Sequence, residues 1–367
     1  HRYPSKVFLQ IAHAGRQTKE RDCGGVPVSP SAVYDPVSKV MPRELSAGTL
    51  YAAHWLQTSG QGPGSATLAW IRLGHAASGE IEALIGGGIG IADIVDVRGV
   101  APAEPGYTRI PYNGKANWVR LKPGMERAAA FLETHRYAAL RGASVGFTKM
   151  EGVALDARDR IAYVAVSSIE GAMTDGSGGI RVEGPASGAV YALNLRGGQT
   201  DSDGMAIDSQ WVPVDMAAVP ELVAADFGGE AGRRRQDALG NFADPDRIAG
   251  PDNLCFSEPL RTLFIGEDSD THVNNFLWAW SADTRQLARI LSCPAGAEST
   301  GLHAAHEING WTYIASNVQH PGDWVRGLHD KVREVLAPMI GTNYRGGFGA
   351  AVGYLTAEPV GIRLRPR

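Results

Sequence analysis

From Gly48 onward, apolar and polar residues alternate with a period of two. Thr49-Leu50-Tyr51-Ala52-Ala53-His54-Trp55 and Thr67-Leu68-Ala69-Trp70-Ile71-Arg72-Leu73 each read as a strand, and the break at Gly60 to Gly64 predicts a hairpin or two strands of one sheet. A helical period takes over at Met125 to Arg141. There Ala128, Phe131, Leu132, Ala138, Ala139 and Leu140 form an apolar face, and Gly142 is placed to end the helix. A second helix is predicted over Asp323 to Leu336, stopped by Pro338. The glycine-rich residues 168–187 are expected to form an exposed loop, followed by a strand from Gly188 to Leu195, and Gly346 to Tyr354 to return as a closing strand. Residues 1–44 have weak periodicity and many turn signals, so no element is predicted there. Residues 45–367 are expected to form one domain.

The stretch from Pro251 to Asp268 organises the rest. It reads as two strands, Leu254 to Ser257 and Thr262 to Gly266, around a turn at Pro259. Antiparallel pairing sets Asn253 beside Glu267 and Asp268. The pattern recurs. Upstream, Glu151 precedes Val153-Ala154-Leu155, a turn at Asp156 to Asp159, and Ile161 to Val166, with Ser167 and Ser168 at the end. Downstream, Glu298 precedes a region closing with Trp311 to Ala315 and then Ser316-Asn317-Val318-Gln319. The central copy continues through Phe276 to Trp280 and Gln286 to Leu291, four strands in about 40 to 50 residues, the span of one propeller blade. The expected fold is therefore all-β, a β-propeller of about five or six blades with a few peripheral helices. Repeated oxygens at one level of its channel would form a ring.

Composition narrows the function classes. The 367 residues, 44% of them hydrophobic and 20% charged, suffice for a large core, and the 46 glycines and 21 prolines favour many tight turns. A net charge of −4 leaves no footprint for nucleic acid or an anionic membrane, and no run of 18 or more apolar residues marks a membrane span. Cys23, Cys255 and Cys293 make neither a disulfide framework nor a zinc ribbon. Because the chain starts at His1 with neither a methionine nor a signal peptide, a processed or truncated product is expected.

Two motifs are set aside. Gly142-Ala143-Ser144-Val145-Gly146 has the spacing of a nucleophile elbow but stands after a helix and before a strand, the reverse of what an elbow needs. Gly86-Gly87-Gly88-Ile89-Gly90 lacks the Lys-Ser/Thr of a phosphate loop and reads as a turn. His303, His306 and Glu307 offer metal-ligand types, but in a loop or strand that spacing sets His303 and His306 on opposite faces and favours surface or locally hydrogen-bonded histidines, whereas His320 follows the polar end of a strand and is a candidate site residue. Carboxylates held within about 4 to 6 Å of one another repel unless a cation sits between them. Acids and amides together suit a hard ion, calcium above all.

Leu45-Ser46-Ala47-Gly48-Thr49-Leu50-Tyr51-Ala52-Ala53, Ala129-Ala130-Phe131-Leu132-Glu133 through Arg136-Tyr137-Ala138-Ala139 to Lys149-Met150-Glu151-Gly152, Pro251-Asp252-Asn253 with Gly266-Glu267-Asp268, Gly296-Ala297-Glu298 and Val318-Gln319-His320-Pro321-Gly322 together resemble the PhoX family of bacterial alkaline phosphatases. That resemblance spans about Leu45 to Tyr354. It implies a β-propeller, export to the periplasm or outside, and a channel cluster of calcium and ferric iron that hydrolyses small phosphate esters, in a chain expected to be a monomer. Carried over, it makes Glu151, Asn253, Glu267, Asp268 and Glu298 the metal ligands, Glu151 and Glu267 catalytic, and Lys149 and His320 substrate-binding. Cys23-Gly24-Gly25-Val26-Pro27 is faintly similar to the family's cysteine motif, but the acids expected before Leu45 and the arginine close before Glu151 have no counterpart. Two alternatives stand beside this reading: a calcium-stabilised propeller that serves binding or structure, and a calcium-dependent lactonase-type hydrolase by fold analogy.

Overall fold

A computed structural model describes residues 28–29, 43–44, 47–112, 115–228, 234–344 and 349–357. The first strands in chain order are β1 (Val28–Ser29), β2 (Arg43–Glu44), β3 (Ala47–Ser59), β4 (Ser65–Ala77), β5 (Val95–Arg98), β6 (Thr108–Tyr112) and β7 (Lys115–Leu121). Next come β8 (Met150–Asp156), β9 (Ile161–Val166), β10 (Ala189–Arg196), β11 (Val212–Pro213) and β12 (Asp215–Val223). The last are β13 (Pro251–Ser257), β14 (Thr262–Glu267), β15 (Phe276–Ser281), β16 (Leu287–Ser292), β17 (Glu298–Ile308), β18 (Trp311–Gln319) and β19 (Ala351–Ala357). Helices are short: α1 (Ser78–Gly86), α2 (Ile91–Ile94), α3 (Glu126–Leu132), α4 (Thr134–Leu140) and α5 (Arg333–Asn343). The fold is all-β with peripheral helices, and among the described residues no helix is long and apolar enough to cross a membrane.

Three sheets position the site. One runs β3-β4-β12-β10-β9-β8 with β11 against β10, the second is β13-β14-β15-β16, and the third is β17-β18-β19. The middle sheet is covered on both faces, which is why β14 and β15 are buried throughout and read as apolar runs without alternation. Period two still sorts their side chains. Leu263 and Ile265 pack with Tyr163 and Val190 of the preceding sheet, while Phe264 packs with Ile314 of the following one.

β13, an edge strand of the middle sheet, runs beside β8 and β17, the edge strands of its neighbours. Glycine allows this approach. A Cβ at Gly152 of β8 would fall 2.2 Å from the carbonyl oxygen of Asp252, and one at Gly266 would fall 2.0 Å from that of Ser299. Ser167, at the end of β9, donates from Oγ to the Pro251 carbonyl at 2.7 Å and ties the start of β13 to the preceding sheet.

Several expected elements take a different form. The helix expected over Met125 to Arg141 is two helices, interrupted at Glu133, whose φ of −128° and ψ of 40° leave the helical region. The helix expected over Asp323 to Leu336 starts later, at Arg333, and includes Pro338 within it. Residues before it are held in turns by His329, whose Nδ1 accepts from Val325 N at 2.9 Å. Residues 168–187 are not an exposed loop: Ile169, Met173, Ile180 and Val182 lie in the core of the first sheet. The strand near the C-terminus does form, as β19, and pairs with β18.

Candidate metal centre

Three carboxylates meet where the edge strands of neighbouring sheets run side by side. Oxygen atoms of Asp252, Asp268 and Glu298 all lie within 4.8 Å of one another, each residue partly buried. Asp252 is the second residue of β13, Asp268 follows β14 immediately, and Glu298 opens β17. Glu151, the second residue of β8, is exposed but close enough to press on Asp252. Two sheets thus supply the three clustered acids and a third supplies their neighbour.

The charges of this group are strongly coupled. Burial, then the charges of Glu151, Asp268 and Glu298, raise the pKa of Asp252 to about 6. Burial and Asp268 push Glu298 up as well, against the pull of His320. Four carboxylates face two cations. Lys149 Nζ lies 2.9 Å from Asp268 Oδ2, and His320 Nε2 lies 2.5 Å from Glu298 Oε1. Burial works against the Lys149 ammonium, but the bond to Asp268 and the charges of Glu151 and Asp252 raise its pKa nonetheless.

His320 has an acceptor at each ring nitrogen, Glu298 Oε1 at Nε2 and the Gly296 carbonyl 3.3 Å from Nδ1. Only the imidazolium can donate to both. Burial opposes that charge, yet Glu298 outweighs it and the pKa rises. Lys149 and His320 also share an uncommon backbone state. Six non-glycine residues among those described have positive φ; Arg160, Arg261, Arg285 and Asn309 belong to hairpin turns, while Lys149 at 46° and His320 at 37° stand at strand ends beside the acids.

Other expected site residues are placed differently. Glu267 is a core residue with a fully buried side chain, and its carboxylate accepts from Ala249 N, Phe276 N, Trp278 Nε1 and, at 3.1 Å, His272 Nδ1. Successive strand residues point to opposite faces, so Asp268 reaches the cluster and Glu267 turns away from it. This removes Glu267 from the expected ligand and catalytic set. Asn253 is close by, but its Oδ1 accepts from Gly301 N at 3.0 Å, and its amide lies against Asp252, whose pKa it lowers. It braces β13 against β17 rather than joining the three clustered oxygens.

Asp252 is the member that sequence reasoning missed. The available signal was its place in Pro251-Asp252-Asn253, but a register shift between Pro251 and Leu254 breaks the alternation there, and an equivalent shift between Met150 and Val153 does so in β8. Strand parity therefore misassigns both strand starts.

The donor set fits a hard cation: three oxygen ligands close together, with repulsion a positive ion would relieve. Cys255 and Cys293 are free thiols, the first raised by burial and the second pushed up to about 12 by burial and Glu267, so neither is poised as a thiolate. Cys23 lies outside the described residues. Comparison with protein-family models, curated proteins and solved structures gave no match for this chain.

Proposed function

We propose that this chain is a calcium-dependent phosphoesterase of the PhoX type, built on a β-propeller and acting on small phosphate esters outside the cytoplasm. What supports the reading is the convergence of Asp252, Asp268 and Glu298 within 4.8 Å at neighbouring edge strands, with Lys149 and His320 beside them. The side-by-side β8, β13 and β17 suit the inner strands of three consecutive blades.

Asp252, Asp268 and Glu298, with Glu151 adjoining, would hold the calcium, which when bound neutralises phosphoryl oxygens and acidifies a coordinated water. The chain's own residues complete the site. Lys149 donates to a non-bridging phosphoryl oxygen as negative charge develops there. His320, charged and held by Glu298 and the Gly296 carbonyl, adds a fixed positive charge beside the phosphoryl group. The cysteine motif associated with iron by the resemblance, Cys23 to Pro27, lies outside the described residues.

The test is metal analysis of the purified chain, with hydrolysis of a chromogenic phosphate monoester under added calcium. Bound calcium with turnover supports the reading. Calcium without turnover assigns a binding or structural propeller instead, and activity on lactones alone assigns a lactonase. A chain that neither binds calcium nor turns over any ester ends the proposal.

A further inference from the structure

Strands β3 and β4 carry a second set of converging polar groups, independent of the carboxylate cluster. The hairpin pairs Thr49 with His75 and Tyr51 with Arg72, and its register slips between these pairs, leaving Leu73 as the extra residue of a bulge. Without that bulge Arg72 and His75, three apart, would face opposite sides of the sheet. With it, both join Thr49 and Tyr51 on one face.

A loop closes over that face. Met205, Ala206, Ile207 and Asp208 form the other wall of an open groove of about 330 Å3, lined also by Thr49, Tyr51, Arg72 and His75. The loop is pinned in place: Ser202 N donates to the Trp70 carbonyl at 2.7 Å, Ile207 N to the Gln199 carbonyl at 2.9 Å, and one Asp201 oxygen accepts from Asp203 N and Met205 N. The groove is thus preformed, as binding clefts generally are.

Its strand wall carries the donors Tyr51, Arg72 and His75, and its loop wall one carboxylate, Asp208. Among the described residues no carboxylate pairs with the Arg72 guanidinium; Asp208, the groove's own acid, is exposed and makes no ion pair with it. His75 Nδ1 lies 2.8 Å from Thr49 Oγ1, which fixes the ring and leaves Nε2 open. Burial, with the nearby charge of Asp201, raises the Tyr51 pKa, so its phenol keeps the proton it would donate. Exposed Met205 adds apolar surface.

We propose that this groove binds a small organic molecule through an oxyanion, a carboxylate or a phosphate, with Arg72 pairing with it in two-pronged fashion and His75 and Tyr51 donating to its remaining oxygens. The test is calorimetric titration of the full chain, without divalent metal, using succinate and inorganic phosphate separately at low ionic strength. Saturable binding of at least one probe is expected, weakened about tenfold or more by Arg72→Gln. Asp252→Asn should leave it unchanged, separating this groove from the acidic cluster. Preference between the probes identifies the carboxylate or the phosphate source. Should Arg72→Gln fail to fold, His75→Ala at an exposed position takes its place and must also weaken binding. Saturable heat from neither probe, or equal affinity in the folded variant, overturns the proposal.

Discussion

Arg261 holds Asp156 across two sheets by a double contact, Nη1 to Oδ1 at 2.9 Å and Nη2 to Oδ2 at 2.8 Å. The Asp156 side chain is fully buried and that of Arg261 is 10% exposed. Glu258, Asp159 and Asp283 surround the same guanidinium, so one cation at the β13–β14 turn ties together the turns of neighbouring sheets at the end opposite the carboxylate cluster. Removing the guanidinium would strand a buried carboxylate. Arg261→Ala is expected to cost about 3–5 kcal/mol in urea unfolding, and Arg261→Lys to recover only part, because an ammonium cannot make the paired contact. A loss below about 1 kcal/mol would mean that the network is no clamp.

The raised Asp252 pKa fixes the sign of a pH effect. In the unfolded chain an aspartate ionises near pH 4, whereas in the folded chain Asp252 holds its proton to about 6. Between those values the folded state binds more protons, so the stability of metal-free protein falls as pH rises, then levels off once Asp252 is ionised in both states. Glu298, also raised, adds in the same direction. Thermal melts of chelator-treated protein should show this decline, added calcium should remove it, and Asp252→Asn should leave only the smaller decline that Glu298 contributes. A melting temperature that rises across this interval without metal would contradict the electrostatic account.

Much of the fold was legible in the sequence because the three sheets repeat a pattern that period two reveals. The hairpin at Pro259, the strands ending at Val166 and Gln319, and the crowding of acids at one level all follow from local alternation. What alternation could not supply is where it fails. The bulged starts of β8 and β13 hid Asp252, and the strictly alternating end of β14 should have excluded Glu267, since neighbours on a strand cannot both face one site. Ile169 and Met173 were lost for another reason: glycine-rich composition reads as exposure, yet these side chains enter a core formed by distant strands.

Glu267 and Asp252 therefore separate two kinds of acid. Glu267 receives bonds from two backbone N–H groups, an indole and an imidazole, so Glu267→Gln should lose about 1–3 kcal/mol in denaturant unfolding while calcium affinity stays within a factor of about two. Asp252→Asn should do the reverse, holding or raising the stability of the metal-free protein while calcium binding drops by about tenfold or more. Calorimetry with calcium alongside urea titration measures both. Loss of calcium binding in folded Glu267→Gln would return Glu267 to the ligand set.

Lys149 sits where glycine would be easier. Its φ of 46° costs an L-residue about 1–2 kcal/mol, and its ion pair with Asp268 lies at a half-exposed position where such pairs return at most about 1 kcal/mol. Beyond balancing the neighbouring acids, the proposed phosphoesterase reading gives this lysine a second task, donation to a phosphoryl oxygen. Lys149→Gly should accordingly leave the melting temperature unchanged or slightly higher while kcat on a chromogenic phosphate monoester, at saturating calcium, falls about 100-fold. Arg160→Gly, at a turn with φ of 56°, provides the comparison, since it relieves the same backbone state away from the acids and should leave kcat alone. If Lys149→Gly turns over as fast as the parent chain, Lys149 is a turn residue and the substrate role falls to His320 alone.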